Sequence, residues 1–245
     1  MEFGGDSILI NSMNAPVAII TGAGRGIGQA IALELANRGY RLALVSRNQK
    51  ELEAVVGQVK TAMAVRADVT RVDDVQMLVD RTLAAFGWVD AIVNNVGLAP
   101  VAKIDELSIE QWHAVINTNL SSAYYLARAV WGTFKEQHKG CIVNISSMAS
   151  RDPLAGFAAY GAAKAGLNLL SLVMAREGAE HGIRSYAIAP GAVETGMFRR
   201  MVSKEKWPPE KTMQPADLAR VVAQCIDGDL KYASGEVIFL SKTGS

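Results

Sequence analysis

Tyr160 and Lys164 stand four residues apart in Tyr160-Gly-Ala-Ala-Lys164, at the head of a helix-like run, and Ser147 lies thirteen residues upstream of the tyrosine. Residues at i and i+4 share a helix face, so the phenol and the ammonium address one small volume. A free tyrosine, with a pKa of about 10, exchanges protons poorly at neutral pH, whereas a neighbouring cation favours its phenolate. The pair can therefore act as an acid/base device. Taken alone, the same spacing also suits an aromatic and a lysine that merely decorate a solvated helix.

An acid/base pair needs a scaffold and something to act on. Near the amino end, residues 15–21 form an apolar, strand-like run that breaks into Gly22-Ala-Gly24-Arg25-Gly26-Ile27-Gly28, after which helical periodicity resumes up to Gly39. Strand, glycine turn and helix together form the setting in which backbone N–H groups and a helix N-terminus receive a pyrophosphate. The spacing is Thr21-Gly22-x-x-x-Gly26-x-Gly28, wider in its first gap than the generic dinucleotide fingerprint. Further strand-like runs fall at 41–46, 62–66, 91–94, 141–146, 184–189 and 236–240, and helix-like stretches at 26–38, 49–60, 72–86, 109–137, 160–181 and 215–227. This alternation predicts an α/β fold with a parallel sheet covered on both faces. Asn48, Thr70, Ser108 and Gln214 stand where helices should start. Only 191–213 lacks periodicity, and Trp207-Pro208-Pro209 argues against a long helix there, so this segment reads as a functional lid.

The chain has 245 residues, half of them hydrophobic, and a formal net charge of +1 with no block of like charges. That gives no electrostatic footprint for nucleic acid or an anionic membrane. No apolar run is read as approaching the roughly 20 residues of a membrane span. Cys141 and Cys225 read as buried thiols, and His113, His138 and His181 are scattered, so no metal site is expected. Residues 1–14 lack the basic start of a secretion signal and read as a frayed or artificial tail. The expectation is a cytoplasmic protein whose residues 15–245 form one domain.

With these motifs in hand, the chain resembles the short-chain dehydrogenase/reductase family over roughly residues 15–240. The resemblance rests on the glycine turn, Asp68-Val69, Asn94-Asn95-Val96-Gly97, Asn119, Ser147, Tyr160-x-x-x-Lys164 and Pro190-Gly191 followed by Thr195, in that order. It implies a single-domain, Rossmann-type, doubly wound parallel sheet of about seven strands, and a nicotinamide dinucleotide cofactor held beyond the carboxyl ends of the strands. It further implies that Gly22, Gly24, Arg25, Gly26, Ile27 and Gly28 cradle the phosphates. Asp68 and Val69 would lie near the adenine, and Asn95, Val96 and Gly97 beside the adenosine, with Val96 where relatives usually carry alanine. Pro190, Gly191, Val193 and Thr195 would contact the nicotinamide carboxamide. At the end of the second strand, Ser46 occupies the slot where an acid would bind the ribose 2′-hydroxyl of NAD, and Arg47 and Asn48 follow it. Arg47, with Arg25, would instead meet a 2′-phosphate, which favours NADP over NAD.

By the same resemblance Tyr160 is the general acid of carbonyl reduction, Lys164 lowers its pKa and holds the nicotinamide ribose, and Ser147 hydrogen-bonds the reacting oxygen. Asn119 would hold a water linking Lys164 to solvent; Asn117 competes for that role, and Asn119 is preferred because it precedes Leu120. Three functions stay open. One is NADPH-dependent reduction of a ketone or aldehyde, a 3-oxoacyl thioester among the candidates. Another is oxidation of a sugar, polyol or steroid alcohol on the same site. The third is a non-catalytic NADP sensor, against which the intact proton relay argues. Apolar faces at Ala123, Leu126, Ala127 and Val130, and at Leu167, Leu170 and Met174, are expected to pair two helices across a two-fold axis into a homodimer or homotetramer.

Overall fold

The computed structural model describes residues 14–59 and 61–242, so most of the tail expected over 1–14 lies outside the described residues. Seven strands form one sheet: β1 (Val17–Thr21), β2 (Arg41–Ser46), β3 (Ala62–Arg66), β4 (Ala91–Asn94), β5 (Gly140–Ile145), β6 (Ile183–Pro190) and β7 (Val237–Leu240). Their order is β3-β2-β1-β4-β5-β6-β7, and every pairing is parallel. The chain winds outward from β1 in one direction and from β4 in the other. That reversal opens a crevice above the carboxyl ends of β1 and β4.

The helices are α1 (Gly26–Asn37), α2 (Gln49–Val56), α3 (Val72–Phe86), α4 (Ile109–Ile116), α5 (Ser122–Gln137), α6 (Ala158–Gly178), α7 (Gly196–Met201) and α8 (Pro215–Asp227). Successive strand residues point to opposite faces, so Ala18 and Ile20 join a core with Ile31, Leu35, Leu52 and Val222 from α1, α2 and α8. Ile19 joins a second core with Val75, Leu78, Leu126 and Met174 from α3, α5 and α6. Both faces of the sheet are buried, which is why its strands read as continuous apolar runs.

Two readings of the sequence differ from the structure. The helix expected over 109–137 is broken by a π-helical turn at Asn117–Ser121, because the chain carries one residue more than α-helical bonding closes there. The apolar stripe expected to pair with a second subunit is inside its own fold: Ala123, Leu126, Ala127, Val130, Leu167 and Met174 are all buried, and Leu170 packs beside them. Periodicity reveals a stripe but not which way it faces, and Tyr124, Leu169 and Val173 are the exposed large hydrophobic residues on these two helices. α6 with its closing turn, Ala158–His181, is long and apolar enough to cross a membrane by length and composition, an 18-residue window of it reaching a mean hydropathy of 1.2. Its polar residues Lys164 and Ser171 are nonetheless buried inside the fold.

Candidate active site

A cleft of about 1030 Å³ runs along the carboxyl ends of the strands. Gly22, Gly24, Arg25, Gly26, Ile27, Ser46, Arg47, Asp68, Val69, Asn95, Val96, Gly97, Ser147, Tyr160, Lys164, Pro190, Gly191, Val193 and Thr195 all line it. Gly28, Asn48 and Asn119 stand behind the wall, each holding part of it in place.

Close packing explains the glycine spacing. A Cβ on Gly28 would overlap the Gly22 carbonyl oxygen and come 2.6 Å from Asn95 Nδ2. Gly22 and Gly26 adopt left-handed φ values of 65° and 57°, which side chains disfavour. Asn95 pins the turn from the far side, its Nδ2 donating to the carbonyls of Thr21 at 3.0 Å and Gly22 at 3.2 Å. The turn then feeds α1, whose N-cap Arg25 makes no side-chain cap and whose first turn carries no acid. Its leading N–H groups are therefore left for another acceptor. Bare backbone and unspent N–H groups fit the pyrophosphate of a dinucleotide.

At the adenosine end the polar groups are already engaged. Asn48 caps α2, its Oδ1 accepting from Lys50 N at 3.2 Å and Glu51 N at 3.4 Å, so its side chain turns away from the cleft. Asp68 accepts from Thr70 N and Oγ1 through one oxygen and presents the other to Arg47 at 3.8 Å. Its carboxyl is lowered from the usual range by the Thr70 hydrogen bonds and by nearby arginines, against the effect of burial. Arg25 pairs with Glu51 at 3.2 Å. Glu51 lines the cleft and was not singled out from the sequence. The signal was available: a helix capped at Asn48 places Glu51 at its third position, where the side chain leans back toward the N-terminus.

At the other end β5 delivers Ser147 and α6 delivers Tyr160 and Lys164. The Ser147 oxygen accepts from Ala149 N at 3.2 Å, which leaves its proton to donate, here toward the Tyr160 phenol. Its carbonyl accepts from Ser150 Oγ at 2.6 Å, and Asn168 Nδ2 donates to Ser150 Oγ at 2.9 Å, so α6 braces the turn that carries the serine. Lys164 is only 3% exposed. Its Nζ donates to the Ile145 carbonyl at 2.7 Å and sits 5.7 Å from the centre of the Tyr160 ring.

The expected pKa coupling does not appear in this geometry. Burial raises the Tyr160 phenol above its ordinary value, a Ser147 hydrogen bond working the other way, and burial lowers Lys164 to about 7. The two side chains share a face as i,i+4 spacing requires, but desolvation outweighs their mutual influence. Asn119 is likewise spent differently from expectation. The π-turn directs its side chain at the loop after β4, where Nδ2 donates to Leu98 O and Val115 O, and Oδ1 accepts from Leu98 N.

The buried lysine has a consequence for stability. Below pH 7 it is charged whether the chain is folded or not, and the folded state bears the full cost of burying that charge. Between about 7 and 10.5, the folded and ordinary values, the folded protein sheds the proton while the unfolded chain keeps it, so this residue's contribution rises with pH. The stability difference between the protein and Lys164→Met is expected to shift in favour of the lysine across that window. Paired urea titrations from pH 6.5 to 10 measure it, and a flat difference would show that the buried amine stays charged.

Beyond Pro190 the segment 191–213 is closed on itself by a bridge between Val193 and Met213. Thr195 caps α7, its Oγ1 accepting from Phe198 N at 3.2 Å. Arg199 holds both oxygens of Glu194 and the Trp207 carbonyl, and keeps the Glu194 carboxyl at about 2. Met197, Phe198, Met201 and Trp207 thereby face the cleft.

A glycine-turn cleft at the switch point of a doubly wound sheet, closed at one end by a serine, a tyrosine and a lysine, defines a dinucleotide-dependent oxidoreductase. The short chain dehydrogenase family model matches residues 16–206. The 3-oxoacyl-(acyl-carrier-protein) reductase of Staphylococcus epidermidis is 32% identical over 235 residues, 91% of this chain and 96% of its own length. That of Staphylococcus aureus is 33% identical over the same shares. Among solved structures, the 3-ketoacyl-(acyl-carrier-protein) reductase of Brucella melitensis, complexed with NADH, aligns with a TM-score of 0.88 at 28% identity, covering 92% of this chain and 96% of its own. An actinorhodin polyketide ketoreductase variant with NADPH gives 0.88 at 28%, covering 94% and 97%. The chain belongs to the short-chain dehydrogenase/reductase family, as an oxidoreductase of the alcohol/carbonyl couple, and within it resembles the 3-oxoacyl reductases.

Proposed function

We propose that this enzyme reduces a ketone of the 3-oxoacyl thioester class with NADPH. The observation that carries the reading is the lining of the substrate half of the cleft. The cleft that holds Ser147 and Tyr160 is also lined by Leu98, Val101, Leu154, Met197, Met201 and Trp207. An apolar wall of this kind favours an acyl chain over a sugar or polyol, whose hydroxyls would lose their water without replacement. Similarity to the staphylococcal and Brucella reductases supports the same substrate class.

The nicotinamide, when bound, supplies the hydride; the chain supplies everything else. Ser147 turns its hydroxyl proton from the phenol to the substrate's carbonyl oxygen as a hydrogen bond and so favours the charge that develops there. Tyr160 hands its proton to that oxygen as the carbon accepts hydride, completing the alcohol. A phenol held above its ordinary pKa by burial keeps this proton at neutral pH, which suits an acid and therefore the reductive direction. Lys164, anchored on Ile145 O, keeps further N–H bonds for the ribose hydroxyls. Asn119 positions the loop at Leu98, and its backbone is the part left to hold a water. Assembly into a homodimer or homotetramer belongs to this reading, through the exposed Tyr124, Leu169 and Val173.

Cofactor choice follows from Ser46 and the two arginines. A charge-assisted contact to phosphate is worth about 1.5–3 kcal/mol, so NADPH is expected to bind at least about tenfold tighter than NADH. Arg47→Ala should narrow that gap by weakening NADPH. Fluorescence titration of both cofactors decides it, and equal affinities or an NADH preference would sink the assignment. Absorbance at the nicotinamide band across a panel of 3-oxoacyl thioesters, simple ketones, polyols and steroids tests the substrate class. Activity confined to polyol oxidation would overturn it, and binding without turnover on any substrate would point to the sensor.

A further inference from the structure

We propose that Glu51 is a specificity-determining residue of the cofactor cleft: its carboxylate competes with the ribose 2′-phosphate for Arg25 and so limits the preference for NADPH. The inference deepens the NADPH reading and rests on it. Four charged side chains meet at the adenosine end, and they cancel. Arg25 is 3.2 Å from Glu51, Arg47 is 3.8 Å from Asp68, and all four line the same cleft.

Among the described residues lining this end of the cleft, a phosphate meets no cation without an acidic partner. It must draw Arg25 away from Glu51 or accept that carboxylate as a neighbour.

Glu51 cannot easily step aside. Its backbone N–H is tied to the Asn48 cap, and its side chain lies over Gly24, where a Cβ would stand 2.8 Å from Glu51 Cβ and 3.1 Å from Glu51 Oε2. The absence of a side chain at Gly24 is what gives the carboxylate its place. Arg25, by contrast, has a side chain 70% exposed and is free to swing. NADH carries a neutral hydroxyl where NADPH carries the phosphate, so the carboxylate discriminates between the two by charge alone.

The test is Glu51→Gln, which keeps shape and length and removes the charge. With purified full-length protein at low ionic strength, NADPH is expected to bind more tightly, by on the order of fivefold for one partly screened like charge. NADH should move by less than about twofold. The gain should shrink as salt is added and be smaller in an Arg25→Ala background, where no guanidinium remains to be released. Adenosine 2′,5′-bisphosphate titrated against ADP should reproduce the contrast without the nicotinamide.

Unchanged NADPH affinity, or weaker binding, in Glu51→Gln would overturn the proposal by showing that the carboxylate is inert or aligns Arg25 for the phosphate. Loss of NADH affinity would also overturn it, since Glu51 would then be accepting from the 2′-hydroxyl. The wild-type ratio is read separately. If NADPH and NADH bind the wild type equally while Glu51→Gln tightens NADPH alone, the preference fails and the role of Glu51 stands. If the wild type prefers NADPH and Glu51→Gln leaves it unmoved, only the present proposal fails.

Discussion

Tyr160→Phe should bind NADPH within about threefold of the wild type, melt at nearly the same temperature and turn over substrate at least 10²-fold more slowly. Only one oxygen is lost. The ring keeps its edge contact with Phe157, 5.8 Å between centroids, so packing is nearly unchanged and the deficit lies in proton transfer. Ser147→Ala should also lower turnover, but by less, because its hydroxyl assists the oxygen without supplying the proton. Single-turnover kinetics with preloaded cofactor separates the chemical step from binding. A Tyr160→Phe variant with near-normal rates would mean that the proton comes from elsewhere.

The largest effect on the fold is expected from one methyl group. Gly28→Ala places a Cβ onto the Gly22 carbonyl oxygen and 2.6 Å from Asn95 Nδ2; the first obstacle is backbone, and the second is an amide held by hydrogen bonds to the Thr21 and Gly22 carbonyls. Either α1 moves off β1 or the glycine turn opens, and both ruin the phosphate cradle. Destabilisation of about 2–4 kcal/mol is expected, with NADPH binding lost in whatever folds. Gly132→Ala is the control: it sits in α5 with nothing within 4 Å of the new atom, and it should raise stability by up to about 1 kcal/mol through helix propensity. Urea unfolding compares the two. Equal stabilities would show that the approach of α1 to the turn does not constrain the fold.

Much of this architecture is legible in the chain because buried parallel strands and amphipathic helices obey short-range rules. The runs expected at 41–46, 62–66 and 91–94 coincide with β2, β3 and β4, since each is apolar on both faces and ends at a polar turn. What escapes is whatever depends on a partner distant in sequence. Asn117-Thr-Asn-Leu-Ser121 is rich in weak helix formers, but nothing in it announces a π-turn, which goes with the reach of Asn119 to Leu98, 21 residues away. Arg25 was expected from the glycine turn to face a phosphate, but the carboxylate beside it belongs to the next helix, 26 residues on. The apolar stripes of α5 and α6 were visible, yet their direction is decided by the sheet. The proximity of Tyr160 and Lys164 follows from spacing alone. The balance between mutual charge and desolvation does not, because it depends on how deeply α6 is buried.

The π-turn at Asn117–Ser121 also decides where this helix can change length. In a regular α-helix each residue advances about 100° around the axis, so a deletion within α5 would swing every later side chain out of the core, Leu126, Val130 and Phe134 among them. The wide turn already holds one surplus residue. Loss of a residue there would restore ordinary winding and leave both flanking faces pointing as before, at the sole expense of the Asn119 clamp on the loop at Leu98. Over the course of divergence, this is the place where a homologous chain could shorten by one residue and keep its fold while giving up its site.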